Sequence, residues 1–111
     1  MEAFELDEVV AAHARAGELY HEFLRVPDLS AGLYVLPAGS VDPQQPHTED
    51  EVYYIVSGSG QIRVAGEDRA VRAGSLIYVK TGDDHRFHTI TEDLRILVFF
   101  APARRSRAAT S

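Results

Sequence analysis

The stretch Pro43–Gly60, PQQPHTEDEVYYIVSGSG, places one histidine and three acidic residues directly before an apolar, aromatic segment. Aromatic and β-branched residues favour the pleated surface of a β-strand, and glycine favours the turn that closes it. Because side chains alternate between the two faces of a strand, Glu51, Tyr53 and Ile55 are predicted to share one face. If that face is the interior, Glu51 is a buried carboxylate, which is costly unless it is paired or bound to a metal.

Two histidines are candidates to meet that carboxylate. His47 lies four residues before Glu51, and His85 follows the turn sequence KTGDD much later in the chain. Two neutral imidazoles and one carboxylate form a donor set that suits Fe(II) and related divalent ions. His47, Glu51 and His85 are therefore candidate metal ligands, whereas His88 is predicted to face away from His85. The alternative is a polar turn with two surface or hydrogen-bonded histidines.

Short strand-like segments separated by glycine or proline continue from Ser30 to the end of the apolar sequence. Seven or eight are predicted, including AGLYVLPAG, EVYYIVSG, GQIRVAG, EDRAVRAG, SLIYVKTG, HRFHTI and LRILVFFAP. Such close spacing indicates an antiparallel sandwich or barrel. Residues 7–24 instead follow a helical period, with Asp7 as the N-cap and Pro27 as the residue that ends the helix.

Composition excludes several classes of function. The chain has 111 residues, no cysteine and a net charge of −6, with three of its eleven basic residues in the tail after residue 102. The acidic body would repel nucleic acid, and the arginine-rich tail is predicted to be a frayed, solubilising terminus. No apolar run is long enough for a transmembrane helix and the N-terminus lacks the features of a signal peptide, so a cytoplasmic location is expected.

Two motifs in the strand region resemble those of a small single-domain cupin. The family's first motif ends with histidine, three or four residues, glutamate, six residues and glycine, as His47, Glu51 and Gly58 do here. Its second motif runs glycine, five residues, Pro-x-Gly, two residues and histidine. Here Gly74, Gly82 and His85 match it, and Lys80 replaces the proline. The resemblance covers roughly residues 30–101.

The resemblance implies an all-β fold, a small antiparallel cupin-type (jelly-roll) barrel with one N-terminal α-helix. The implied division is a helical segment at 1–28 that packs on the barrel, the barrel at 29–102 and a flexible basic tail at 103–111. Carried over by position, the metal ligands are His47, Glu51 and His85. Gln45 stands where the family has its first histidine, and could supply an amide oxygen to the metal, a hydrogen bond to a ligand, or nothing. The metal would be Fe, Mn, Ni or Zn.

Three functions are compatible with this resemblance. The first is a metal-dependent enzyme with oxygenase, isomerase or lyase chemistry on a small organic molecule, in which Tyr53 or Glu49 moves protons. The second is a binding or sensing barrel in which a metal anchors a ligand without reaction, and the third is a metal-free binding barrel. Proteins of this kind are commonly homodimers. The helix, the second sheet or a partner subunit would cover the outward apolar residues Val52, Tyr54 and Val56. Neither nucleic acid nor a membrane is an expected partner.

Overall fold

The protein's structure is a computed structural model that describes residues 1–44 and 47–106. Within these residues, one helix, α1 (Leu6–Ala16), is followed by six strands: β1 (Tyr20–Val26), β2 (Leu29–Leu36), β3 (Asp50–Val64), β4 (Glu67–Arg72), β5 (Leu76–Val79) and β6 (His85–Ala101). Every strand pairing is antiparallel. The prediction of an all-β barrel with one N-terminal helix is confirmed. Within the described residues, α1 is too short and too polar to cross a bilayer.

Two long strands form the centre of the fold. The strand order is β1-β2-β6-β3-β4, and β5 pairs with the first part of β3. β3 and β6 pair along nearly their whole lengths, from Asp50 opposite Ala101 to Val64 opposite His85. Their register shifts between Ile55 and Gln61, where bulges increase the twist and let the strands bend.

This bending corrects the predicted strand count. The segments EVYYIVSG and GQIRVAG are parts of the single strand β3, and HRFHTI and LRILVFFAP are parts of β6. Gly58 and Gly60, which the sequence places at strand ends, lie at a bend within β3 instead. Gly58 adopts φ +96°, and a Cβ atom there would lie 2.1 Å from the carbonyl oxygen of Asp93. Only glycine lets β3 approach the backbone of β6 so closely while it bends.

The predicted helix over residues 7–24 is too long. Gly17 adopts the left-handed conformation, with φ 71°, and ends α1 after Ala16. Residues 20–26 form β1, which pairs with β2 from Tyr20 opposite Tyr34 to Val26 opposite Leu29. The helical period of residues 7–24 includes these residues, but pairing with β2 decides the local structure. As a result, Tyr20 packs edge-on against the rings of Tyr34 and Phe100.

The core lies between the inward faces of β2, β3 and β6. Alternate residues of β6 are buried, namely Leu94, Ile96, Val98 and Phe100. β3 contributes Tyr53 and Ile55 on the same face as Glu51. The predicted alternation of β3 is therefore confirmed, and it places one carboxylate in an otherwise apolar row.

The opposite face of β3 remains exposed. Val52 lies opposite Tyr78, and Tyr54 lies opposite Leu76, on the outer side of the β3–β5 pair. Leu76 is 68% exposed and Tyr78 is 62% exposed. Helix α1 contacts β1 and β2, so it does not cover this surface. We call these four residues the outer apolar patch.

The segment that follows β6 is held against the barrel. Ala103 is buried, and its amide donates to the carbonyl of Pro27 at 3.2 Å. The amide of Arg104 donates to Oγ of buried Ser30 at 2.8 Å. Residues 103–106 of the predicted flexible tail thus have defined contacts, and Arg107 and the residues after it lie outside the described residues. The division into segments at 28 and 102 remains a prediction.

The close approach at the β3 bend is testable by substitution. Gly58→Ala adds a Cβ against backbone that cannot move away, at a positive φ. We expect it to lower the free energy of unfolding by ~2 kcal/mol more than Gly39→Ala, which has a similar φ but open space around it. Urea denaturation of both variants measures the difference, and equal losses would show that the contact with Asp93 is not limiting.

Candidate metal centre

Hydrogen bonds hold the start of β3 and the turn before β6 together. The amide of Gly82 donates to the carbonyl of His47 at 3.0 Å, and the amide of Thr81 donates to Oδ1 of Asp50 at 2.8 Å. The hydroxyl of Thr81 donates to the carbonyl of Thr48 at 2.7 Å. These contacts fix the relative positions of His47 and His85, which are 38 residues apart in the sequence.

The structure brings together the three predicted ligands. One donor atom each from His47, Glu51 and His85 lies within 4.8 Å of the other two. The side chains of Glu51 and His85 are almost fully buried, and His47 is half-buried. His88, on the same strand as His85, faces outward and contacts Asp68 at 2.7 Å, as the alternation predicts.

The orientation of His85 leaves one ring nitrogen directed into the cluster. Its Nδ1 lies 2.8 Å from the carbonyl oxygen of Asp83, which can only accept, so Nδ1 carries the proton and donates it. Nε2 then faces Oε1 of Glu51 at 2.7 Å and Oε1 of Gln44 at 3.2 Å. Two acceptor oxygens around a nitrogen lone pair require a proton or a cation between them.

The Glu51 carboxylate also requires a proton or a cation beside it. Both carboxylate oxygens are buried, Oε1 lies 2.7 Å from Nε2 of His85, and the carboxylate is close enough to Tyr53 to raise the pKa of its phenol. Two donors bound at right angles to one ion, each at about 2.1 Å, would be about 3.0 Å apart. The short contact between Glu51 and His85 is compatible with that separation, so the residues present fit a divalent cation.

The ionisation of the two histidines differs because their surroundings differ. Burial lowers the pKa of His47, and the positive charge of Arg104 lowers it further against the opposing effect of Glu51. His47 is therefore neutral at pH 7, as a metal ligand must be. For His85, burial also acts to lower the pKa, but the contacts with Glu51 and the Asp83 carbonyl outweigh it and the net shift is upward.

Two residues that the sequence analysis did not identify support the site. Asp42 is buried, accepts the Tyr34 hydroxyl at 2.5 Å and accepts the backbone amide of Phe87 at 2.9 Å. Its Oδ2 also accepts the side-chain amide of Gln44 at 2.6 Å, which turns Oε1 of Gln44 toward Tyr53 and His85. An aspartate before proline is also common in solvent-exposed turns, so no local signal marks Asp42 as buried.

The amide beside the histidines is thus Gln44. The predicted ligand Gln45 lies outside the described residues. Gln44 is held by Asp42, and its oxygen accepts the Tyr53 hydroxyl at 3.0 Å.

The two predicted proton-transfer residues both lie at the cavity. Tyr53 is buried, and burial together with the Glu51 carboxylate raises its pKa well above the usual value. Its phenol therefore keeps its proton. Glu49 is also buried, and its carboxylate accepts the backbone amide of Arg105 at 2.8 Å and the hydroxyl of Thr48. Their catalytic roles remain predictions.

An open cavity of about 420 Å³ connects this cluster to the surface. Its apolar walls come from β1, β2, β3 and β6, and its lining also includes two arginines of the C-terminal segment, Arg104 and Arg105. The lining residues include Leu19, Tyr20, Tyr34, Gln44, His47, Glu49, Glu51, Tyr53, Val98 and Phe100. The arginines were predicted to belong to a solubilising tail, so their position beside the site is new information from the structure.

The barrel fold and the His-Glu-His cluster are features of a known protein family. The Cupin domain family matches residues 32–100, which is more than half of the chain. The chain belongs to the cupin family. The resemblance inferred from the sequence is confirmed.

Three proteins that are similar to this cupin have names that describe different properties. An uncharacterised protein of Streptomyces coelicolor is 50% identical over 102 residues, covering 92% of this chain and 97% of that protein. The oxalate-binding protein of Thermotoga maritima is 32% identical over 91 residues, covering 81% and 73%. The structure of KdgF from a Halomonas species has a TM-score of 0.70 at 23% identity, over 80% and 81% of the two chains, which shows a shared fold alone.

The role of Asp42 can be tested by a change of one atom. Asp42→Asn removes the charge and replaces one acceptor with a donor that would face other donors. We expect the free energy of unfolding to fall by about 2 kcal/mol or more, since hydrogen bonds to a buried charged group are lost. Asp28→Asn, at an exposed position, should change it by less than ~0.5 kcal/mol. Similar small effects of both substitutions in urea denaturation would contradict the buried network.

Proposed function

We propose that this cupin is a metal-dependent enzyme that takes a small organic molecule into the barrel cavity. The observation that carries the proposal is the buried Glu51 carboxylate, whose Oε1 lies 2.7 Å from Nε2 of His85 in the same cluster as His47. Burying an ionised carboxylate costs several kcal/mol unless a cation compensates it. A divalent ion would satisfy Glu51 and both histidines together.

His47, Glu51 and His85 would hold the ion. Two imidazoles and a carboxylate suit Fe, Mn, Ni or Zn, and leave positions open for water or a ligand. When bound, such an ion acts as a Lewis acid that polarises an oxygen of the bound molecule, which is compatible with oxygenase, isomerase or lyase chemistry. The hydrogen bond from His85 Nδ1 to the Asp83 carbonyl would fix the ring for coordination through Nε2.

The remaining polar groups of the cavity would position the bound molecule and take part in proton transfer. Tyr53 retains its proton because of its raised pKa, so its hydroxyl can donate to the bound molecule or to Gln44. Glu49 lies in the cavity lining with its carboxylate fixed by the Arg105 amide. Tyr53 is thus suited to donate a hydrogen bond to the bound molecule without losing its proton, and Glu49 to be a proton acceptor.

A second function is binding without reaction. The name of the Thermotoga maritima relative, an oxalate-binding protein, supports a barrel that only binds a small molecule, with or without a metal. The two functions differ in turnover: an enzyme converts its molecule catalytically, whereas a binding protein releases it unchanged.

The ligand assignment predicts the metal content of single variants. Purified wild-type protein should retain close to one divalent ion per chain, whereas His47→Ala, Glu51→Gln and His85→Ala should each lose metal affinity by at least about tenfold. His88→Ala is the matched control, since His88 lies on the same strand and faces away from the cluster. Elemental mass spectrometry after dialysis against each metal measures the content.

A melting experiment separates loss of metal from loss of structure. Adding Mn(II) to chelator-treated wild-type protein should raise the melting temperature, because an ion that binds the native state stabilises it. Glu51→Gln should fold without metal and show no such rise. Wild-type metal content in all three ligand variants, or no uptake of any of the four metals by wild-type protein, would contradict the proposal.

The outer apolar patch supports a further part of the proposal, a homodimer. Its four residues are large, exposed and contiguous across two strands, which is typical of a surface that another subunit covers. Leu76→Asp should convert a dimer into a monomer in sedimentation equilibrium. Val41→Asp changes an equally exposed apolar residue outside the patch and should leave the mass unchanged. A wild-type protein that is monomeric at high concentration would contradict this arrangement.

A further inference from the structure

The backbone of the C-terminal segment is fixed at the mouth of the cavity. The Arg104 amide donates to Ser30 Oγ, and the Arg105 amide donates to Glu49 Oε1, both at 2.8 Å. On the other side, the guanidinium of Arg25 donates to the carbonyl of Arg104 at 2.9 Å. These bonds join the segment to β1, β2 and the loop before β3. The Arg104 side chain is therefore placed at the cavity by a fixed backbone.

The guanidinium of Arg104 has no acidic partner in the part of the chain that the structure describes. Its Cζ lies 4.8 Å from the centre of the Tyr20 ring, and no described carboxylate lies within 4.0 Å of its nitrogens. In contrast, Arg63 on the outer surface forms two hydrogen bonds with Asp68. A cation that lines a cavity and is not paired with a carboxylate of the described chain is available to an anion from outside.

Tyr20 provides a second unsatisfied donor next to this cation. Its ring occupies the space above Gly32, where a Cβ atom would lie only 2.3 Å from Cζ of the ring. The hydroxyl is buried and has no hydrogen-bond partner among the described residues. Burial raises the pKa of Tyr20, so the hydroxyl carries its proton, and this O–H group requires a hydrogen-bond acceptor. Both Tyr20 and Arg104 line the cavity.

The charge of the cavity also favours an anion. Its described lining contains two glutamates, Glu49 and Glu51, and two arginines, Arg104 and Arg105. These charges cancel, and a divalent ion at the cluster would leave the cavity with an excess of about two positive charges. The chain as a whole has a net charge of −6. With the ion bound, the cavity would be a local positive region on an acidic protein, which would concentrate anions there.

We propose that the molecule taken into the cavity is a small carboxylic acid, and that Arg104 binds its carboxylate, with the Tyr20 hydroxyl as a second donor. This inference rests on the proposed function for the identity of the site, and adds the substrate class and a specificity residue. Guanidinium and carboxylate match in geometry, because two parallel N–H groups can donate to two oxygens. The apolar walls formed by Val98 and Phe100 would contact the rest of the molecule.

The test compares acids with their neutral amides. Acetate, butyrate and benzoate, each paired with its amide, are titrated into metal-loaded protein, and saturation-transfer NMR measures the dissociation constants. In wild-type protein we expect at least one acid to bind at least tenfold more tightly than its amide. Arg104→Gln should reduce this preference to less than twofold, and Arg104→Lys should retain part of it. Arg86→Gln, which removes the same charge from an exposed position outside the cavity lining, should leave the preference unchanged.

Each possible result decides the inference. No binding of any of the three acids to wild-type protein, equal binding of acids and amides, or an unchanged preference in Arg104→Gln would overturn it. If Arg104→Gln does not fold, as judged by its melting curve, the wild-type preference and the Arg104→Lys result decide. Metal content is measured in the same samples. Bound metal without acid preference would overturn this inference alone, whereas acid preference without metal would overturn the proposed metal centre alone.

Discussion

The carboxylate of Glu51 lies inside the barrel, where burial removes its hydration. An ionised group in this position is destabilising by several kcal/mol unless a positive charge approaches it. The neighbouring side chains place that positive charge between Glu51 and the two histidines. Nε2 of His85 is 2.7 Å away, and His47 completes the cluster from the loop before β3.

The rest of the fold maintains this arrangement. β3 must bend so that its first half can direct Glu51 inward while its second half pairs with β4, and Gly58 makes the bend possible. Asp42 joins the loop before β3 to β6 through the amide of Phe87, and it holds Gln44 against His85. The site is thus built on two long strands and on loops that are bonded to each other, which limits how far its donors can move.

The sequence allowed the local parts of this structure to be predicted. Alternation in a strand is a property of the chain alone, so the shared face of Glu51 and Tyr53 and the opposite directions of His85 and His88 could be inferred. Contacts between distant segments were not predictable in the same way. Tyr20 was assigned to a helix because its pairing with Tyr34 is not visible in local periodicity. Arg104 was assigned to a free tail because nothing near it in the sequence indicates a bond to Ser30.

The central claim is that His47, Glu51 and His85 bind one divalent ion. Anomalous diffraction from crystals grown with Mn(II), recorded on both sides of the manganese absorption edge, tests it most directly. The account predicts one strong anomalous peak in the barrel, within about 2.0 to 2.3 Å of a donor atom of each of the three residues. A map with no peak there, or a peak whose ligands exclude Glu51, would contradict it.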